Sequence, residues 1–352
     1  MPLKRINVLT GPNACGKSNL YHSISLLFKA ANGGLARAIA AEGGMESVFW
    51  AGAHSGKKKI ELDLQIDDFR FQLRIGKVGA MAGSRFSLDP AIEEEIITDL
   101  TERKPVKIAE RGRGTCYVRD REGIRQSYHL QLEPEESVLS QISDPFQYPH
   151  LSFVRRVIGK WRFYHQFRTD ADSPLRKPQI PSRTPIMAPD GSDVALALQT
   201  IIENGDDQAL DTAVKEALDG ARLVIIGGDD GLSVGLDVRG IARTLTAHEL
   251  SDGTLRYLCL LGALLSPSAA PLLALNEPES SLHPQVLKPL AKLIVAASER
   301  SQIWLTTHSA RLADAISAQS GVKAIELVKV NGETMRAGRT DPRVYYSSEP
   351  DE

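Results

Sequence analysis

The pattern of apolar and polar positions along the chain predicts buried strands followed by helices. Residues 6–10 form a short apolar run, and residues 19–28 then place apolar side chains at helical spacing. Residues 271–275 and 302–306 are also short and apolar, and each is followed by a helical pattern. This alternation is typical of parallel strands buried on both faces. In such folds the groups that bind ligands gather at the carboxyl ends of the strands.

Other segments alternate apolar and polar residues, which predicts half-buried antiparallel strands. Three hairpins follow from this pattern, pairing residues 59–66 with 69–75, 115–119 with 124–128, and 223–226 with 232–236. Asp67 and Asp68 form the turn of the first hairpin, and Gly123 lies in the turn of the second. The chain is therefore expected to contain antiparallel sheet beside the parallel strands.

Helical segments and one irregular stretch separate these strands. Helical spacing covers residues 133–160, 195–202 and 208–218. An extended stretch that cannot be helical is marked by Pro174, Pro178, Pro181, Pro185 and Pro189. A further proline, Pro289, falls inside the helix expected over residues 285–298, which implies a kink or a late start.

Composition narrows the class of protein. The chain has 352 residues and a formal net charge of −2, so no global basic excess indicates nucleic-acid binding. Its three cysteines are scattered, which favours a reducing compartment over a disulfide framework or a zinc cluster. The sequence contains no apolar run of membrane-spanning length and no signal-like start. We expect a cytoplasmic protein without a membrane partner.

The strongest motif is a phosphate-binding loop of the form G-x-x-x-x-G-K-S, placed between the first strand and the first helix. In this context backbone N–H groups and the helix N-terminus bind phosphate, Lys17 neutralises it, and Ser18 ligates Mg²⁺. The residues expected around the triphosphate are Gly11, Asn13, Ala14, Cys15, Gly16, Lys17, Ser18 and Asn19. The loop predicts binding of a nucleoside triphosphate.

Three later motifs help to distinguish the classes of protein that share this loop. Ser251 and Gly253 begin a predicted helix and could offer a hydroxyl and a bare N–H group to an anion, although a plain helix cap explains them equally. Asn276 and Glu277 end an apolar strand, and His308 follows the next strand. Alone, such a glutamate is usually solvated and such a histidine is usually structural.

Together the four motifs resemble the ABC/SMC/RecF group of P-loop ATPases, and in particular the stand-alone ATPases related to RecF and the OLD proteins. The resemblance extends from Ile6 to about residue 315. It implies an α/β fold, an ABC-type P-loop NTPase head that has a mixed sheet, an antiparallel β subdomain and a helical lobe. It also implies ATP and Mg²⁺ as cofactors and a homodimer that forms on ATP binding.

The resemblance also implies a role for each motif. Lys17 and Gly16 would hold the β- and γ-phosphates, and Ser18 would hold Mg²⁺. Ser251 and Gly253, the signature segment, would complete the γ-phosphate site of the neighbouring subunit. Glu277 would polarise the attacking water as the general base, and His308 would hold the γ-phosphate and water in line.

The same resemblance divides the chain into one head with four portions. Residues 1–130 would carry the phosphate loop and the antiparallel strands, and residues 131–222 the helical insert. Residues 223–330 would carry the signature, Walker B and His-loop motifs, before a tail at residues 331–352.

Three features depart from the general ABC pattern. Asn276 stands where an aspartate normally supports Mg²⁺, so the affinity for metal or the turnover is expected to be low. Ala14 replaces a loop glycine and restricts the backbone torsions there. The sequence also begins almost at the phosphate-loop strand, whereas the resemblance implies an earlier strand pair that helps to contact adenine, so the preference for adenine is expected from the resemblance alone. Gln166 is our candidate for the residue that senses Mg²⁺, with an ordinary surface glutamine as the alternative.

Basic and aromatic residues are interleaved over residues 155–183, which suits contact with a DNA backbone and stacking on bases. The alternative is a packing segment with solvated charges. The cluster comprises Arg155, Arg156, Lys160, Arg162, Arg168, Arg176, Lys177 and Arg183 with Trp161, Phe163, Tyr164 and Phe167.

Our leading interpretation is an ATP-hydrolysing, dimerising switch in DNA repair, recombination or phage defence. DNA would be one partner, and a nuclease or another effector would be a separate chain. The alternative is a nucleotide sensor that closes on ATP with little or no hydrolysis, which Asn276 favours. A transporter motor and a small-molecule kinase fit the motifs less well.

Overall fold

The computed structural model describes residues 3–52, 58–78, 88–112, 114–128 and 132–338. The chain divides into two compact units. The first unit joins the residues up to Tyr21 to those from Arg162 onward, and the second contains residues 22–161. All the motifs identified above lie in the first unit.

The strands alternate with helices through the first unit and dominate the second. In chain order the strands are β1 (Ile6–Thr10), β2 (Ile60–Ile66), β3 (Phe69–Lys77), β4 (Pro90–Asp99), β5 (Val106–Gly112), β6 (Thr115–Arg119), β7 (Arg125–Tyr128), β8 (Arg162–Tyr164), β9 (Arg222–Gly228), β10 (Gly231–Asp237), β11 (Leu245–Thr246), β12 (Leu272–Asn276), β13 (Gln302–Thr306), β14 (Ile325–Val330) and β15 (Glu333–Arg336). The helices are α1 (Lys17–Ala31), α2 (Leu35–Ala41), α3 (Met45–Val48), α4 (Val138–Gln141), α5 (Pro149–Gly159), α6 (Val194–Asn204), α7 (Asp207–Ala217), α8 (Asp252–Leu264), α9 (Leu287–Ala297) and α10 (Ala310–Ser320).

The main sheet of the first unit has the order β15-β14-β1-β13-β12-β8. Neighbouring strands are parallel except for β14 and β15, which form an antiparallel hairpin at one edge. The pairing places Thr306 beside both Leu9 and Asn276. Strands β1, β13 and β12 therefore end at the same edge of the sheet, which confirms the expected parallel core.

Apolar side chains of the main sheet and of α6, α8 and α9 form the core of the first unit. Helix α8 is buried on almost every side, and Tyr257 within it is completely buried. Full burial of a helix that follows Ser251 fixes the position of the signature segment relative to β12, because close-packed interiors permit little displacement. A small antiparallel sheet, β11-β10-β9, completes this unit and contains the third predicted hairpin.

The second unit is built on an antiparallel sheet with the order β2-β3-β4-β5-β6-β7. Its first and last strand pairs confirm the two hairpins predicted there. Strands β4 and β5 had no sequence prediction, because consecutive glutamates and two irregularities of register interrupt the alternation of β4. The fold class is thus as predicted, with a mixed sheet and an antiparallel β subdomain.

Two helical expectations need correction. The helical spacing of residues 133–160 gives two separate helices, α4 and α5, since residues 142–148 form turns between them. Pro289 does not kink a helix, because a short 3₁₀ turn at Pro284–Val286 precedes α9 and Pro289 lies in the first turn of that helix. The late start is therefore the correct alternative.

Within the part of the chain that the structure describes, no helix is both long enough and apolar enough to cross a bilayer.

Candidate functional site

The phosphate loop connects β1 to α1, as the motif predicts. Gly16 has a φ of 98°, in the left-handed region that favours glycine, and the loop turns there into the helix that begins at Lys17. The Lys17 side chain is only 4% exposed, and its Nζ donates to the carbonyl oxygens of Gly11 at 2.8 Å and Pro12 at 3.0 Å. The ammonium group is thus held inside the loop by backbone oxygens that an incoming phosphate can replace.

Ala14 adopts a φ of 61°, although it is not a glycine. The left-handed region costs an L-residue roughly 1–2 kcal/mol, so the substitution of the usual loop glycine is accommodated with backbone strain. Cys15 is buried, and its Sγ lies 3.8 Å from Nζ of Lys17. Burial favours a packing role for this thiol over a redox role.

The edge hairpin β14–β15 forms a wall against the phosphate loop, which sequence reasoning did not detect. A Cβ atom on Gly16 would collide with the Thr334 hydroxyl, and one on Gly11 would collide with the carbonyl oxygen of Leu327. Both loop glycines are therefore required by close approach as well as by torsion angle. No local signal in residues 325–336 indicates this contact, since the pairing of β14 with β1 creates it.

Asn276 lies at the carboxyl end of β12 with both ends of its amide engaged. Its Oδ1 accepts a hydrogen bond from Thr306 Oγ1 at 2.5 Å, and its Nδ2 lies 2.6 Å from Nδ1 of His165. His165, which follows β8, is a site residue that the sequence did not reveal. Gln166 is exposed beside it, so the structure is compatible with both of its alternatives.

Glu277 and His308 are brought together at the same edge. Nε2 of His308 lies 2.7 Å from Oε1 of Glu277, and both side chains are partly exposed. Glu277 has a φ of 48°, and its N–H group donates to the carbonyl oxygen of Thr306 at 2.9 Å. A strained backbone held by a neighbouring strand is typical of functional positions. We refer to this arrangement as the Glu277–His308 pair.

Ser251 is the N-cap of α8 and remains exposed. Its Oγ accepts a hydrogen bond from Thr254 N at 3.2 Å, so the helix-cap interpretation holds. A Cβ atom on Gly253 would lie 2.5 Å from the carbonyl oxygen of Ser281, so the helix start packs directly on the segment that follows Glu277. The cap also leaves a hydroxyl accessible at the positive end of a helix dipole, and thus the anion-binding interpretation stays open.

Arg176 is buried and binds residues within and just before the signature segment. It is 8% exposed and donates to the carbonyl oxygens of Ala247 at 2.6 Å and Leu250 at 3.1 Å, and to Asp252 Oδ1 at 2.8 Å. The hypothesis that this arginine contacts DNA is therefore wrong, because its donors are already used inside the protein.

The base-stacking part of the same hypothesis also needs correction. Trp161, Tyr164 and Phe167 are 4%, 4% and 5% exposed, so these rings are not available to stack on bases. Their pattern reflects packing, which was the alternative interpretation. Arg156, Lys160, Arg168, Lys177 and Arg183 are exposed and remain able to contact phosphate.

The residues present fit a nucleotide and a hard divalent cation. Mg²⁺ prefers oxygen ligands and takes few of them from the protein when phosphates supply the rest. Ser18 is exposed in the first turn of α1, and Asn276 offers an amide oxygen. Among the described residues there is no group of three or more His, Cys, Asp and Glu side chains that could hold a metal ion.

Comparison with known proteins identifies the kind of fold. A family model described as "AAA domain, putative AbiEii toxin, Type IV TA system" matches residues 6–314. The structure is similar to an Smc head bound to the C-winged helix domain of ScpA, with 13% identity over 96% of this chain and 90% of that one and a TM-score of 0.52.

Two further solved structures have lower TM-scores. An Smc head domain with an extended coiled coil, bound to the C-terminal domain of ScpA and derived from Pyrococcus furiosus, is 12% identical over 96% of this chain and 90% of that one, with a TM-score of 0.48. An SMC head domain from Thermotoga maritima is 14% identical over 96% and 91%, with a TM-score of 0.40. No curated protein matches the sequence.

Proposed function

The chain belongs to the AAA-domain family whose model matches residues 6–314, it has the fold of an ABC-type P-loop NTPase head, and we propose that it hydrolyses ATP with Mg²⁺ as a dimerising switch. One observation carries this proposal. The phosphate loop, Asn276 and the Glu277–His308 pair all follow strands that end at one edge of the main sheet.

The geometry supports a separate role for each residue around the triphosphate and the metal. The Lys17 ammonium exchanges its two carbonyl partners for the β- and γ-phosphates, and N–H groups of the loop and of α1 add further donors. Ser18 and Asn276 would hold Mg²⁺, which supplies positive charge against the phosphate oxygens. Gln166, exposed after β8, is the proposed sensor of that metal.

Glu277 acts as the general base in this proposal. Its carboxylate accepts a proton from the water that attacks the γ-phosphorus, and the bond to the β–γ bridging oxygen breaks. His308 donates to Glu277, which fixes the direction in which the carboxylate faces the water. Because catalysis of phosphoryl transfer is mainly positioning and charge stabilisation, small changes in this pair control the rate.

The second half of each site comes from another copy of the chain in our proposal. Ser251 is exposed at the start of α8 and Gly253 is half-buried in its first turn, and this helix start suits an oxyanion. Two copies facing each other would bind two ATP molecules, with Lys17 from one protomer and Ser251 from its partner at each.

A mixing experiment tests the shared sites directly. Lys17→Ala and Ser251→Arg are each expected to abolish hydrolysis, and an equal mixture of the two variants should recover part of it, because mixed dimers contain one intact site. A mixture as inactive as its components contradicts shared sites.

Hydrolysis itself is tested by phosphate release at saturating ATP and Mg²⁺. Wild-type protein should release phosphate, while Glu277→Gln should bind ATP with unchanged affinity and release phosphate at least about 100-fold more slowly. Equal rates for the two proteins would remove Glu277 from its role.

A nucleotide sensor with little hydrolysis is the second candidate. Asn276 favours it, since a neutral amide already bonded to Thr306 and His165 adds no charge to a metal site. Tight ATP binding with phosphate release no faster than that of Glu277→Gln would identify the sensor.

For the biological role we propose DNA repair, recombination or phage defence in the cytoplasm. The family description names a toxin–antitoxin system, which supports defence. A nuclease or other effector would be a separate chain. Cys15, Cys116 and Cys259 are buried free thiols, and the proposal of a reducing compartment continues to rest on the number and spacing of the cysteines in the sequence. Stimulation of phosphate release by DNA tests the DNA partner.

A further inference from the structure

Glu279 accepts several hydrogen bonds from the turn that contains His308. Its Oε1 accepts three hydrogen bonds, from Thr307 Oγ1 at 2.6 Å, from the His308 N–H at 2.9 Å and from the Ser309 N–H at 3.2 Å. Ser309 in turn is the N-cap of α10. One carboxylate oxygen on the segment after β12 thereby fixes the backbone of the turn after β13.

The other oxygen of Glu279 makes the arrangement unusual. Oε2 is buried and has no hydrogen-bond partner among the described residues. A buried unpaired oxygen that carries charge costs more than an unpaired neutral one. The Glu279 carboxylate is therefore an incompletely paired buried group whose three hydrogen bonds all come from the turn that contains His308.

Arg256 on α8 holds the other half of the pair. Its Nη2 donates to the carbonyl oxygen of Glu277 at 3.1 Å, and its guanidinium group lies 5.8 Å from the centre of the Phe167 ring. Its Nε is also buried without a partner in the described part of the chain. Burial lowers the pKa of Arg256, and the negative charges of Glu279 and Glu277 act in the opposite direction.

Glu279 and Arg256, two residues of opposite charge, thus each make a hydrogen bond with the backbone of one member of the Glu277–His308 pair. We propose that Glu279 and Arg256 are positioning residues for this pair, Glu279 through the backbone of His308 and Arg256 through the carbonyl group of Glu277. Arg256 lies five residues after Ser251 at the start of the same buried helix, so the packing of α8 fixes the signature segment and the carbonyl group of Glu277 relative to each other. The kinetic part of this inference rests on the proposed hydrolysis.

A spectroscopic test decides the role of Glu279 without ATP. Histidine-selective ¹⁵N labelling gives few signals because the chain has eight histidines, and His308→Gln identifies those of His308. Glu279→Gln keeps a carbonyl acceptor but adds a buried N–H donor, so the His308 ring signals should move. Glu299→Gln, which changes an exposed glutamate, is the matched control and should leave them in place.

The kinetic test separates positioning from binding. Glu279→Gln should lower kcat about tenfold while the KM for ATP stays within about twofold, because a misplaced catalytic group costs rate rather than ground-state affinity. Unmoved His308 signals together with an unchanged kcat overturn the inference. If even wild-type protein releases no phosphate, the proposed hydrolysis fails, and the ¹⁵N spectra still decide whether Glu279 positions His308.

A double-mutant cycle tests the joint role of the two charges. Arg256→Gln and Glu279→Gln should each lower kcat, and the double variant should lose much less than the product of the two losses, since both residues hold the same pair. Losses that multiply show independent effects and contradict the proposal. If Arg256→Gln does not fold, Arg256→Lys replaces it in the same cycle, because it keeps the charge and can reach the Glu277 carbonyl group.

Discussion

Nδ2 of Asn276 lies 2.6 Å from Nδ1 of His165, at the edge of the sheet where the phosphate loop begins. With Oδ1 accepting from Thr306, the amide N–H₂ group faces His165 and donates to the unprotonated ring nitrogen. Asn276 is thus a neutral side chain with a defined orientation. In the proposed metal site it would add no negative charge.

We predict that Asn276→Asp binds Mg²⁺ more tightly. The carboxylate keeps the acceptor for Thr306 Oγ1 and adds a negative charge near the cation, which should lower the Mg²⁺ concentration for half-maximal phosphate release by at least about tenfold. A Mg²⁺ titration at saturating ATP measures the shift. Asn204→Asp, a change at an exposed asparagine at the end of α6, is a control for added charge elsewhere in the unit. Unchanged Mg²⁺ dependence in Asn276→Asp contradicts the metal role.

Gly253→Ala should weaken association of the two heads. A Cβ atom there lies 2.5 Å from the Ser281 carbonyl oxygen, so the helix start or residues 280–282 must shift. Overpacking of this kind costs about 1–3 kcal/mol within each chain. Because the displaced helix start would no longer match the partner's site, we expect a dimer at least about tenfold weaker in the presence of ATP, or about 1.4 kcal/mol. Sedimentation velocity over a range of protein concentrations measures the change.

Gly228 provides the matched control for this substitution. A Cβ atom on Gly228, in β9, meets no atom within 4 Å. Gly228→Ala should therefore dimerise like wild type, and an equal loss in both variants would show that the packing on Ser281 is irrelevant.

Arg176→Gln should destabilise the first unit. The substitution leaves the carbonyl oxygens of Ala247 and Leu250 without their buried donor, which should lower the free energy of unfolding by at least about 2 kcal/mol. Urea unfolding followed by circular dichroism measures the loss. The exposed neighbour Lys177 is the control, and Lys177→Gln should unfold at the wild-type urea concentration. If Arg176→Gln is as stable as wild type but binds DNA less well, the surface role that we reject is restored.

The turn before the signature segment, in which Glu249 binds Arg243 and Thr246, should be less stable in acid. Hydrogen bonds from Arg243, and then from the Thr246 N–H, lower the pKa of Glu249 to about 2. Because the folded pKa is below the unfolded one, the stabilisation from Glu249 is complete above pH 4.5 and is lost as the pH falls from 4.5 towards 2. The Tm of wild type should therefore exceed that of Glu249→Gln by a constant amount above pH 5, and the difference should shrink below pH 4.5. A difference that grows in acid has the opposite sign and contradicts the assignment.

The sequence was sufficient to predict the parts of the site that depend on consecutive strands, loops and helices. Strand, loop and helix are consecutive around Lys17, and the runs that become β12 and β13 place Glu277 and His308 directly after apolar segments. The carboxyl ends of parallel strands meet, so the meeting of these two side chains could be predicted in outline. The 2.7 Å contact between them and the strained torsion of Glu277 could not.

The residues that support the site were missed because only tertiary packing brings them there. His165 reaches Asn276 across 111 positions of the chain, and Glu279 reaches the His308 turn across 29. Arg176 was assigned to a charged surface, since composition shows charge but not burial. Thr334 lies against Gly16 because β14 and β15 follow β1 in the order of the sheet. The local pattern of apolar and polar residues does not predict that strand order.

We propose that ATP joins two copies of this chain through Ser251 and the phosphate loop. The most direct measurement is the mass in solution of Glu277→Gln, by light scattering, with and without ATP and Mg²⁺, beside the Lys17→Ala, Glu277→Gln double variant as a control. We predict the mass of two chains only for Glu277→Gln with ATP and Mg²⁺, and of one chain for the control under all conditions. Protein that binds ATP fully and still has the mass of one chain would contradict the account.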